Sequence, residues 1–218
     1  MVFGRTRRAS YLVAALAVAC GSAPVDLSEG GRDFEAADYG HVRDLWTRDF
    51  QIITVDGIEN VLTARVTHLS WEFRWAFAVK RAHDLRLTPE ERRDLNEAEF
   101  ARLEEGHEFF VSVMSGVSGT EDLESDKGPW SIRLADDRGR QVAPISVERI
   151  RRPTPADSAY FDFDLKHRKP YRILFPLEAA DGQPILSPET RSYSVRFSSA
   201  LGQGDAVWET IPGTGGEG

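Results

Sequence analysis

The residues able to do chemistry are few and scattered. Five histidines, His41, His68, His83, His107 and His167, fall in separate stretches, and none is paired with another at the i, i+4 spacing that sets two ligands on one helix face. His107-Glu108 begins like the H-E-x-x-H zinc motif, but Val111 stands where the second histidine belongs. These histidines therefore read as surface or turn residues. Gly116-Val117-Ser118-Gly119-Thr120 lacks the last glycine of a nucleophile elbow, which also needs a strand-to-helix turn. Glu121, Asp122, Glu124 and Asp126 could converge on a hard cation. Gly128, however, comes one place late for a calcium loop, and Arg133 fills the twelfth position, where a bidentate Glu is needed. Asp162 and Asp164, two apart in an alternating stretch, suit a solvated strand face better than acid catalysis. A single cysteine, Cys20, leaves no room for a disulfide, a zinc ribbon or a thiol with a base beside it in sequence. No catalytic, cofactor-binding or metal-binding residue is assigned, and the expectation is a non-enzymatic protein that folds without cofactor.

Cys20 has a different chemistry in view. Residues 1–19 have a basic start (Arg5, Arg7, Arg8), an apolar run from Tyr11 to Val18 and small residues before a cut, the three-part build of an export signal. The run is about half the ~20 apolar residues that a membrane-spanning helix requires. Leu16-Ala17-Val18-Ala19 directly before Cys20 resembles the lipobox of bacterial lipoproteins, with Ala17 where Leu is usual. That resemblance implies lipidation of Cys20, a palmitate-type anchor with more than one chain, and a membrane-anchored protein. Gly21, where enteric lipoproteins destined for the inner membrane carry Asp, implies the outer membrane, facing the periplasm. Ala17-Val18-Ala19 is also an A-x-A site for the ordinary signal peptidase, which would yield a soluble secreted protein instead.

The formal charge of −8 becomes more negative once residues 1–19, with three arginines and no acid, are set aside. Such a body is poorly suited to neutralising phosphates, so nucleic acid is not an expected partner. Basic spots at Arg149, Arg151 and Arg152 and at Lys166 to Lys169 lack interleaved aromatics and read as solvated surface.

The elements that would position these residues follow from periodicity. Residues 20–33 are small, polar and rich in breakers, which predicts a lipidated tether. Residues 34–211 are expected to form one domain and 212–218 a flexible tail. Val42, Leu45, Trp46 and Phe50 are near helical spacing. Gln51 to Val55 and Ile58 to Thr67 flank Asp56-Gly57, a hairpin dipeptide. A helical hairpin is predicted over about 70–105. Ser70 caps a helix with stripes Trp71, Trp75, Ala78, Ala82 and Phe73, Phe77, and Thr88-Pro89-Glu90-Glu91 opens a second helix with capping-box spacing. Trp75 is expected to be buried and Phe73 or Phe77 to be the more exposed.

Strands are predicted at Phe109 to Met114, Trp130 to Ala135, Val142 to Ile150, Ser192 to Ser198 and Ala206 to Ile211, with a turn at Gly202 to Asp205. Phe161, Phe163 and Leu165, then Tyr171, Ile173, Phe175 and Leu177, alternate with polar residues and predict a further hairpin. The fold class is thus mainly β, an immunoglobulin-like antiparallel β-sandwich with an inserted α-helical hairpin. Leu134-Ala135-Asp136-Asp137-Arg138-Gly139, Phe161-Asp162-Phe163 and Ile173-Leu174-Phe175-Pro176 resemble telokin-like and other immunoglobulin-like domains of secreted bacterial proteins. That resemblance implies the fold and carries no binding residues. The function expected is an envelope scaffold or interaction module with an envelope protein as partner. A ligand-binding module is the alternative, with a hydrolase of unfamiliar type third. A deep, partly apolar pocket between helices and sheet would distinguish binding from scaffolding.

Overall fold

A computed structural model describes residues 22–54, 59–124 and 128–211. Cys20, the Asp56-Gly57 turn, Asp126 and the 212–218 tail lie outside the described residues. Within them the chain is mainly β, with two antiparallel sheets and four helices. A short helix α1 (Tyr39–Leu45) leads into strands β1 (Thr47–Ile53) and β2 (Asn60–His68). The helical hairpin follows as α2 (Trp71–Asp84) and α3 (Pro89–Ala101). Then come β3 (His107–Met114), β4 (Ser131–Asp136), β5 (Gln141–Val142), β6 (Ser146–Arg149), α4 (Pro155–Phe161), β7 (Lys169–Phe175), β8 (Ser192–Ser199) and β9 (Gly202–Glu209). One sheet has the order β1-β2-β3-β7-β6 and the other β5-β4-β8-β9.

The first sheet is covered on both faces. On one side Phe109 of β3 meets Trp208 of β9, and Phe50 of β1 meets Phe197 of β8, with ring centroids 5.8 and 5.2 Å apart, so the two sheets share a core in a sandwich-like arrangement. On the other side Phe110, the next residue of β3, stacks on Phe161 of α4 at 4.0 Å, and Phe161 lies 6.0 Å from Phe73 of α2. Successive side chains of a strand point to opposite faces, so a strand buried on both sides is apolar throughout, which explains the run Phe109-Phe110-Val111.

Local signals fix the helix starts. Ser70 Oγ accepts from the Phe73 amide, and Thr88 with Glu91 forms a complete capping box with Pro89 in the first turn. The second helix ends at Ala101 rather than Glu105, and turns fill the interval to Gly106. Gly106 takes a positive φ where a Cβ would collide with the Phe175 carbonyl.

Five expectations are corrected. Phe161 and Phe163 do not form a strand. Thr154 and Asp157 build a second capping box with Pro155 in the first turn, so a helix ends at Phe161, and Asp162 in the left-handed region turns the chain. Both Phe side chains are still buried, which is what gave the alternation. Val142 to Ile150 is two strands, β5 and β6, in different sheets, with Pro144 between them. Gly202 to Asp205 is not a turn but the start of β9, and a Cβ on Gly204 would come within 2.5 Å of the Phe50 ring, so glycine there permits close approach of β9 to β1. The helix expected toward Phe50 stops at Leu45, and β1 begins two residues on. Within the stretch read as a tether, Val25 is fully buried and bridges Thr210 in parallel, its amide donating to Glu209 O at 2.9 Å. The docked body therefore begins before residue 34.

Candidate functional site

The aromatic stripes of α2 divide opposite to expectation. Phe73 and Phe77 are buried against Tyr39, Tyr160 and Phe161, whereas Trp71 and Trp75 are half-buried and stack at 5.3 and 5.6 Å on Phe100 of α3. Each stripe thus has its own cover, one supplied by the core and one by the second helix.

Arg74, in the same helix face, is the unusual residue. It is 1% exposed, and a buried guanidinium is tolerated only when its charge is met. Two carboxylates meet it. Nη2 donates to Glu108 of β3 at 2.5 Å, and Nη1 to Glu99 of α3 at 2.7 Å. Glu108 also accepts from Arg102 Nη2 at 2.8 Å and from Arg172 Nη1 of β7 at 2.5 Å, so three guanidiniums surround one buried carboxylate. Burial pushes the Glu108 carboxyl up, but Arg172 and Arg74 outweigh it and hold it down at about 2. Arg74 Nε has no hydrogen-bond partner among the described residues.

A cavity of about 330 Å³ opens over this cluster, between α2, α4 and the helix-covered face of the first sheet. Arg74, Arg81, Arg102 and Arg172 line it together with the rings of Phe73, Phe77, Tyr160 and Phe161. Arg81 lies 5.9 Å from the Phe77 centroid and forms no ion pair among the described residues. The site combines apolar walls with convergent polar groups, the usual make-up of a small-molecule pocket. A shallower groove of about 660 Å³ lies between residues 35–37 and the outer face of α2 and α3. Its floor is Ala78 and Ala82, and Lys80 at its side is paired with Asp84.

Of the histidines read as surface residues, His68 is interior and His107 half-buried. His68 is 3% exposed, with Nδ1 2.7 Å from the Tyr193 hydroxyl, and its ring is 6.0 Å from that of His107, which is half-buried. Burial, with His107 and Arg74 nearby, holds His68 well below its ordinary value, and burial lowers His107 to about 4. Asp26 and Glu29 line a small cavity beside them. His41, His83 and His167 are exposed.

The acidic loop does not converge. Glu121 pairs with Lys169 at 2.5 Å, Asp122 accepts from the Glu124 amide, and Glu124 pairs with Arg151 at 2.7 Å. Asp162 binds Arg65 and Asp164 binds His167. Among the described residues no group of three or more His, Asp or Glu is arranged to hold a metal ion, and no helix is long and apolar enough to cross a membrane.

The chain matches no protein-family model, no curated protein and no solved structure.

Proposed function

We propose that the protein is an exported, non-enzymatic binding module whose cavity between the helices and the first sheet takes up a small ligand. The observation that carries this is Arg74. A fully buried guanidinium with an unsatisfied Nε borders an aromatic-walled cavity, and a structural ion pair alone gives no reason for the cavity. Scaffolding, the other envelope role, has less support, because Phe73 and Phe77 are consumed by the core and Trp71 and Trp75 are partly covered by Phe100. The sandwich is proposed to be immunoglobulin-like. Export through residues 1–19 and a lipid anchor on Cys20 in the outer membrane complete the proposal, resting on the lipobox-like sequence.

Binding is tested by following backbone amide shifts while small organic acids and alcohols are added. Shifts are expected to cluster at Phe77, Ala156 and Tyr160, and to vanish in Ala156→Trp, where an exposed position at the cavity lip gains a bulky ring without disturbing the core. Shifts that persist in that variant overturn the assignment. The anchor is tested by the mass of the mature N-terminus, expected to be an acylated Cys20, and by Cys20→Ser, expected to release the protein from membranes. An unmodified N-terminus overturns it.

A further inference from the structure

We infer that the ligand of this cavity is a small carboxylate on an aromatic or aliphatic body. The inference rests on the cavity being a binding site and concerns what that site selects. Size limits the choice first: with about 30 Å³ per water-sized group, a volume of about 330 Å³ admits roughly ten non-hydrogen atoms. Shape comes next, since the walls include the rings of Phe77, Tyr160 and Phe161, which favour a flat or slender apolar body.

Charge then decides the head group. Four guanidiniums, Arg74, Arg81, Arg102 and Arg172, line the cavity with the carboxylates Glu99 and Asp157, and Glu108 meets three of those guanidiniums. Each carboxylate is already engaged. Glu99 receives Arg74, Glu108 receives Arg74, Arg102 and Arg172, and Asp157 closes the capping box of its own helix with Thr154. Of the four guanidiniums, Arg81 is the one with no ion pair among the described residues, and it lies over the Phe77 ring. A monoanion matches the one guanidinium without an ion pair, Arg81, while a phosphate dianion exceeds it. Guanidinium forks also suit the two parallel oxygens of a carboxylate.

The test is calorimetric titration of the full-length protein at neutral pH and low salt with hydrocinnamate and with hydrocinnamyl alcohol, which shares its apolar body and lacks the charge. Hydrocinnamate is expected to bind at least tenfold more tightly, and Arg81→Gln to remove that preference while leaving the alcohol unaffected. Equal affinity of acid and alcohol, both lost in Ala156→Trp, overturns the carboxylate inference and leaves the binding module intact. Acid binding that survives Ala156→Trp places the anion elsewhere and overturns both. Failure of hydrocinnamate, octanoate and their alcohols to bind at all overturns the inference as well.

Discussion

His68 and Tyr193 meet in the interior with the imidazole Nδ1 2.7 Å from the phenol oxygen, and they come from different sheets, β2 in the first and β8 in the second. Phe109 stacks on the imidazole at 4.4 Å, and Trp46 and Trp208 close round it. A polar pair inside an aromatic cage is worth keeping only in its neutral, mutually bonded form, because a charge there would have no water. His107, next along, is held neutral by the same burial.

The pH dependence of stability follows. Both histidines have folded values below the ordinary 6.5, so the unfolded chain binds protons that the folded chain refuses. Their contribution is complete above about 6.5 and is lost as pH falls toward about 4, the value of His107. For His107, which is half-buried as a residue, this amounts to about 2 kcal/mol. Urea midpoints measured across that window are expected to fall with pH, and His107→Gln to flatten part of the fall. A midpoint constant from neutrality to pH 4 contradicts the assignment.

Much of the frame was legible because it is written in local spacing. Ser70, the Thr88 to Glu91 box and the flanks of β3, β4 and β8 are short-range signals, and each element stands where its signal lies. Phe161 and Phe163 misled because a helix end followed by a left-handed residue can bury alternate side chains just as a strand does. The arginine cluster was hidden for a different reason. Arg74, Arg102, Glu108 and Arg172 are joined across the fold, and no sequence period links them. One trace was available: Arg74 sits three after Trp71 and four before Ala78, a charged residue inside an apolar helix face, which asks for a buried partner. Glu108, before the apolar run of β3, poses the same question.

Glu108 is expected to be the most costly carboxylate to remove. Its loss leaves Arg74 buried with only Glu99, and breaking one side of a buried ion cluster costs about 3–5 kcal/mol. Glu108→Ala should therefore lower the urea midpoint far more than Asp49→Ala, whose own carboxylate is exposed beside Arg65. Comparable effects would show that water already screens the cluster. In acid, the stability Glu108 confers is present above its ordinary 4.5 and disappears as pH falls toward about 2.

Two glycines should respond oppositely to alanine. At Gly204 the added methyl meets the Phe50 ring at 2.5 Å, so β9 and β1 must part, at a cost of about 1–3 kcal/mol. At Gly40, in the first turn of α1, nothing lies within 4 Å of the new Cβ. Gly40→Ala is expected to stabilise by up to about 1 kcal/mol through helix propensity. Equal melting temperatures for the two variants would refute the close approach of the sheets.

The last prediction concerns the two stripes of α2, which the sequence ranked in the wrong order. Phe73 is 1% exposed and touches Tyr39, Phe77 and Phe161, so its removal opens a cavity in the layer between helices and sheet. Phe73→Ala is expected to cost about 3–5 kcal/mol. Trp71 is larger but half-buried. Its ring stacks on Trp75 and Phe100 at 5.2 and 5.3 Å, and solvent reaches the pair. Trp71→Ala is expected to cost about 1–2 kcal/mol, chiefly by loosening α3 from α2. Amide exchange separates the two effects: it should rise along α3 alone for Trp71→Ala and across β3 and α2 for Phe73→Ala. A Phe73→Ala protein as stable as the wild type would return that stripe to the surface and reopen it as a docking face.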